Sequence, residues 1–192
     1  GSMAGRLVLL HGWGADANDL KPLGDAVQTP GEAPLEVVSL DAPDPHPQGS
    51  GRQWYGLFPA DWGAVPEAVS QLQVRLRQLG GGEAKLKRTV LFGFSQGGAM
   101  ALHAGCELPV AGVISCSGYP HPDWQPPADH PPVLLLHGID DAIVPHAAMQ
   151  RIQNQLDANR CTTLSFKNGH TIPEEMMRPI QEFINSVLSR TN

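Results

Sequence analysis

Short apolar runs alternate with amphipathic stretches along these 192 residues. That alternation predicts a single-domain α/β fold, with a mostly parallel central sheet of about six or seven strands and helices on both faces. Two further observations support it. The apolar runs are short and nearly continuous, as strands buried on both faces must be. One of them leads through a glycine-flanked turn directly into a helical stretch.

The strands are expected at Arg6–Leu10, Glu36–Leu40, Thr89–Phe94, Val110–Ser115, Val133–His137 and Thr162–Phe166. Between them a weak helix, Asp16–Val27, contains Pro22. Val65–Leu79 is the clearest helix: Val65, Val69, Leu72, Leu76 and Leu79 keep helical spacing, Pro66 and Glu67 suit its start, and Gly80-Gly81-Gly82 stops it. Further helices are read at Ser95–Cys106, at His146–Asn159 after Pro145, and at Pro173–Ser189, where Pro179 should kink or split the segment. The loops Asp41–Ala64 and Gly118–Pro132 are long and rich in proline. Loops of that length in a small domain often carry function. Gly1-Ser2-Met3 reads as a cloning scar, leaving residues 4–192 as one domain.

Composition excludes several classes. A net charge of −6, with no long basic run, gives nucleic acid no surface to bind. Lys85-Leu86-Lys87-Arg88 is the densest basic patch and reads as a solvated loop end. No secretory leader is read, and no apolar run approaches the ~20 residues of a transmembrane span. Cys106, Cys116 and Cys161 are odd in number and widely spaced. They read as structural, reduced thiols, which points to a cytoplasmic protein.

The chemistry lies in Gly93-Phe94-Ser95-Gln96-Gly97, which follows the strand Thr89–Phe94 and opens a helix. Strand, G-x-S-x-G, helix is the nucleophile elbow of the α/β-hydrolases. With 21 glycines in the chain, the pentapeptide needs support from elsewhere. An activated serine needs a base, and the base needs an orienting acid. In this fold both follow the serine, beyond the ends of later strands. Of eight histidines, His170 is the best base, since it follows a glycine after the last strand. His137 belongs to a strand end and His103 to a helix. His46, His121 and His130 lie in proline-rich loops and read as solvated, and His146 reads as a helix cap or surface residue. Asp140 and Asp141 compete as the acid, and only one can face His170. Asp141 is preferred, at the tip of the Asp-x-x-Val-Pro loop. The oxyanion hole needs two N–H donors. Gln96, after the nucleophile, supplies one. Trp13, in the His11-Gly12-Trp13-Gly14 turn after the first strand, supplies the other. The G-x-x-x-x-G-K-[ST] pattern of a phosphate loop is absent from that turn.

Trp13, Trp54, Trp62 and Trp124 all fall in expected loops, with Tyr55 and Phe58 beside them. They should gather at the catalytic edge as an apolar acyl groove. Packing the long loops onto the body would use the same residues.

In this order, Leu-His-Gly-x-Gly, Gly-Phe-Ser-Gln-Gly-Gly, His-Gly-x-x-Asp-x-x-Val-Pro and Gly-His resemble the phospholipase/carboxylesterase family of α/β-hydrolases, which includes acyl-protein thioesterases and small bacterial carboxylesterases. Gly51-Arg52-Gln53-Trp54-Tyr55 also resembles a family segment. The resemblance implies a Ser95–Asp141–His170 triad, an oxyanion hole from Trp13 and Gln96, and hydrolysis of esters, thioesters or lysophospholipids with apolar acyl groups. It implies no cofactor and no metal. The partner is a small acyl ester or thioester, or an acylated protein, and the chain is a monomer or homodimer. A peptidase of the same fold and a catalytically silent binding protein are the competing readings.

Overall fold

In the computed structural model, residues 4–190 are described. The cloning-scar reading of Gly1-Ser2-Met3 lies outside them. Six strands form one sheet: β1 Arg6–Leu10, β2 Glu36–Leu40, β5 Thr89–Phe94, β6 Gly112–Cys116, β7 Val133–Gly138 and β8 Cys161–Phe166. All neighbours are parallel, in the order β2-β1-β5-β6-β7-β8. A two-stranded antiparallel ribbon, β3 Asp44–Pro45 and β4 Arg52–Gln53, stands apart.

Strand side chains alternate between two apolar layers. Leu7, Leu9, Val90 and Phe92 face one layer, with Leu23 of α1 (Lys21–Ala26) and Ile180, Ile184 and Val187 of α6 (Met177–Ser189). Val8, Leu10 and Leu91 face the other, with Val69 and Leu72 of α2 (Val65–Arg77), Met100 and Leu102 of α4 (Gln96–Gly105) and Ile152 of α5 (Ala147–Gln153). This two-sided burial explains why the inner strands β1, β5, β6 and β7 read as nearly continuous apolar runs, while the edge strands β2 and β8 carry exposed polar positions. Among the described residues no helix is long and apolar enough to cross a membrane.

Three expected helices are shorter than their sequence patterns. Residues 16–20 form turns, because the Asp16 carboxylate accepts the Asn18 amide at 2.9 Å, and the helix begins only at Lys21 with Pro22 in its first turn. The segment after α5 breaks into a turn and a short 3₁₀ helix, where Asp157 accepts the Asn159 amide at 2.9 Å. Pro179 sits in the first turn of α6, preceded by the 3₁₀ turn Glu174–Met176, so the last segment is split as its proline required. The basic patch is a correction. Gly82–Leu86 is a short helix, α3, with Leu86 buried. The Lys85 ammonium lies 3.2 Å from the Glu36 carboxylate and donates to the Ala4 carbonyl at 2.9 Å. A pattern this local carries no sign of the distant partners that anchor it.

Strand order places the site. β1 leads to β2 on one side, while β5 leads to β6 on the other, so the connections diverge between β1 and β5. Open α/β sheets bind ligands at such a switch point, beyond the strand C-termini. The turn His11–Gly14 leaves β1 there and Ser95 leaves β5 beside it.

Candidate active site

Ser95 follows β5 directly and has φ 58° and ψ −117°, a conformation that costs a non-glycine residue about 1–3 kcal/mol. The packing around the turn leaves it little choice. A Cβ on Gly93 would strike the Gly97 carbonyl, and one on Gly97 would strike the Leu10 carbonyl of β1. Glycine at both positions lets three stretches of backbone meet. The turn then projects the serine hydroxyl outward, above the N-terminus of α4.

His170 Nδ1 donates to Asp141 Oδ2 at 2.7 Å, so Nε2 is the free acceptor, 3.0 Å from Ser95 Oγ. Asp141 is almost buried at 7 % exposure. Its other oxygen accepts the amides of Ile143 at 2.9 Å and Val144 at 2.8 Å, which makes the Asp-x-x-Val-Pro turn a cradle for one carboxylate. Burial raises the Asp141 pKa, but the hydrogen bonds from His170, Val144 and Ile143 outweigh it and hold the group below its ordinary range. Asp140 points into solvent. The Phe94 ring packs against the His170 imidazole at 4.9 Å between centroids.

The Trp13 turn stands against the elbow: a Cβ on Gly12 would lie 3.4 Å from Ser95 Cβ. Among the described residues, no acceptor in the chain takes the amide hydrogen of Trp13 or of Gln96. Both donors are therefore available beside the serine. The Trp13 indole is fixed by Gln53, whose Oε1 accepts its Nε1–H at 2.9 Å, and by the rings of His46 and Phe58.

The six aromatic candidates divide. Trp13, Phe58 and Trp62 line a cleft of about 830 Å³ with Ser95 and His170. Trp54, Tyr55 and Trp124 do not line it; they belong to the buried core, at 2 %, 1 % and 4 % exposure. Polar atoms explain the first withdrawal. The Trp54 indole donates to the His11 carbonyl at 2.9 Å, and the buried Gln96 side chain accepts the Trp54 amide at 2.9 Å while donating to the Tyr55 carbonyl at 2.8 Å. The loop residues Leu57, Tyr119, Ile143 and Val144 complete much of the cleft wall, a contribution that no local periodicity marks.

Other histidines depart from expectation. His121 and His130 are buried at 4 % and 1 %, not solvated. His130 accepts the Asp157 amide at 3.0 Å and donates to the Pro131 carbonyl at 2.7 Å, which ties two loops together. His137, at the end of β7, donates to the Val144 carbonyl at 2.8 Å with its Nε2 3.5 Å from Asp141, and so braces the acid loop. His46 is half-buried against Trp13. The three cysteines are free, and burial pushes Cys106 and Cys116 up to about 12, so neither is a nucleophile.

A sequence profile of the Phospholipase/Carboxylesterase family matches residues 2–188. The chain belongs to the phospholipase/carboxylesterase family. Acyl-protein thioesterase 1 of Gibberella zeae is 30% identical over 120 residues, 55% of this chain and 51% of that protein. The matched stretch thus spans about half the length of that curated relative. The crystal structure of esterase PE8 superposes with a TM-score of 0.80 at 30% identity, covering 96% of this chain and 94% of that one. The acyl-protein thioesterase 2 of Zea mays shares the fold, with a TM-score of 0.75 at 18% identity over 98% of this chain and 95% of its own. This member of the phospholipase/carboxylesterase family thus has the α/β-hydrolase fold of esterases and thioesterases.

Proposed function

We propose that the chain is a serine hydrolase that cleaves carboxylic esters, thioesters included, through Ser95, His170 and Asp141. The observation that carries the reading is the continuous hydrogen-bonded path from Asp141 through His170 to Ser95 Oγ, with links of 2.7 and 3.0 Å. The imidazole Nε2 takes the Ser95 proton as the oxygen attacks the acyl carbon. Asp141 holds the tautomer that makes this possible and stabilises the imidazolium that forms. The negative charge gathering on the carbonyl oxygen falls to the Trp13 and Gln96 amides, and each donor contributes on the order of 10²–10³ in turnover. His170 then protonates the departing alcohol or thiol. Water, deprotonated by the same nitrogen, cleaves the acyl-enzyme. No step calls for a metal or an organic cofactor.

The cleft wall of Trp13, Leu57, Phe58 and Ile143 suits an apolar acyl group, of a small ester, a lysophospholipid or an acylated protein. Three free thiols suit a reducing compartment, and we place the protein in the cytoplasm.

The test is fluorophosphonate labelling beside turnover of p-nitrophenyl esters and an acyl-thioester series. The wild type should label and turn over, and Ser95→Ala should do neither while keeping its circular dichroism. A folded wild type that neither labels nor turns over any ester would refute the proposal and favour a silent binding protein.

A further inference from the structure

Behind the cleft lies a chain of side chains that the proposed chemistry does not use. Tyr119 lines the cleft. Its hydroxyl lies 2.6 Å from that of Tyr55, which lies 2.6 Å from His121 Nε2, and His121 Nδ1 lies 2.9 Å from His103 Nδ1. Three segments of chain converge to build this: the loop after β4, the last turn of α4, and the loop after β6, which contributes two positions. His103 ends the chain half-buried, on a second cavity of about 510 Å³ that shares Trp62 with the cleft.

Counting hydrogens shows what the arrangement does. Burial holds both histidines below their ordinary pKa, His121 at about 3, so both are neutral. Two hydroxyls and two neutral imidazoles carry four exchangeable hydrogens. The three links consume three, and the fourth sits at one end, because a Tyr55 hydroxyl accepting from both neighbours would leave its own hydrogen buried and unpaired. In one polarity His103 donates to His121, His121 to Tyr55 and Tyr55 to Tyr119, leaving the Tyr119 hydrogen to point into the cleft. In the other, every link reverses, the spare hydrogen sits on His103 Nε2, and Tyr119 offers the cleft a lone pair. Neither polarity strands a buried group, because His103 opens on the second cavity.

The rest of the cleft favours the donating polarity. Among the described residues lining it, Arg151 is the one permanently charged side chain, and none is a carboxylate. This holds on a chain of net charge −6. We propose that Tyr119 is a specificity-determining residue that donates its hydroxyl hydrogen to an acceptor oxygen of the substrate, a carboxylate remote from the scissile bond, and that Tyr55, His121 and His103 set it in that role. The preferred substrates are then half-esters of dicarboxylic acids or esters similarly tipped with an anion. This rests on the serine hydrolase reading and goes beyond its apolar acyl group.

The experiment compares methyl half-esters of four-, six- and eight-carbon diacids with methyl esters of the simple acids of equal length, followed by pH-stat titration. The wild type should favour the half-ester at one length at least, chiefly through KM. Tyr119→Phe keeps the ring and removes the hydrogen. It should cut the half-ester to simple-ester ratio of kcat/KM about tenfold, the size of a hydrogen bond to a charged group. A cooperative thermal transition verifies that the variant is folded. Tyr119→Leu serves where Tyr119→Phe does not fold, and where neither folds the wild-type ratio decides. A wild-type ratio at or below one at every length, or a ratio unchanged in a folded variant, overturns the inference. Turnover of the simple esters by the wild type tests the hydrolase reading separately: with turnover present, a failed ratio sinks only the role of Tyr119.

Discussion

Asp141 shows how much one carboxylate is asked to do. One oxygen is committed to two backbone amides and the other to His170, so the side chain cannot rotate without giving up a bond. In Asp141→Asn the amide oxygen can keep both backbone donors, which turns the new NH₂ toward His170. His170 Nδ1 must then become an acceptor, moving the ring hydrogen to Nε2, where it blocks transfer from Ser95. Ester turnover should fall on the order of 10⁴ in kcat with little change in thermal stability. A loss below tenfold would mean that Asp141 does not set the tautomer. That Asp141 rather than Asp140 would face His170 was legible from its place in the Asp-x-x-Val-Pro loop. The bracing by His137 was not, because it depends on a ring nitrogen meeting a carbonyl seven residues away.

Among the elements, the β5–turn–α4 unit decides whether there is a site at all. Its pattern was readable because every constraint is local: an apolar strand, two glycines around a strained serine, and small residues that let α4 approach the sheet. Gly97→Ala should push its methyl into the Leu10 carbonyl and force β1 and β5 apart at the switch point. The expected cost is about 2 kcal/mol or more, seen as a melting temperature lowered by about 4–8 °C, together with loss of fluorophosphonate labelling. A variant that labels and melts like the wild type would show that the close approach is not needed. The helix at 16–27 was over-read for the opposite reason. Its residues carry a weak helical period, but Asp16 and Pro22 impose a turn and a late start, and the Ala17 amide is taken by Asp41 at 2.8 Å from the other side of β2.

For the molecule as a whole, the buried histidines set a pH response. His11, His103, His121 and His137 are all held below the ordinary histidine range, mainly by burial, with His121 lowest at about 3. The unfolded chain takes up protons at these positions as pH falls through about 6.5. The folded chain refuses the His121 proton until about 3, so stability falls with falling pH across that window. One such group removes about 2 kcal/mol between pH 6.5 and 5. Asp141 adds a loss in the same direction at lower pH, as its depressed pKa is passed. Urea unfolding should therefore show a lower midpoint at pH 5 than at pH 7.5. Equal midpoints would mean that these rings are not kept neutral.

The sequence by itself determined the sheet and singled out the three side chains, Ser95, His170 and Asp141, that the fold brings into hydrogen-bond contact. Strand burial writes itself as unbroken apolar runs, and the elbow as a short spacing between neighbours. Tertiary structure alone decided which aromatic rings line the cleft and which pass into the core. It alone drew Tyr55, His121 and His103 from three segments into the relay behind Tyr119. A tryptophan or a histidine has the same chemistry in either place; its role depends on which distant segments pack around it, as where the His11 carbonyl takes the Trp54 indole hydrogen, and no spacing along the chain records that meeting.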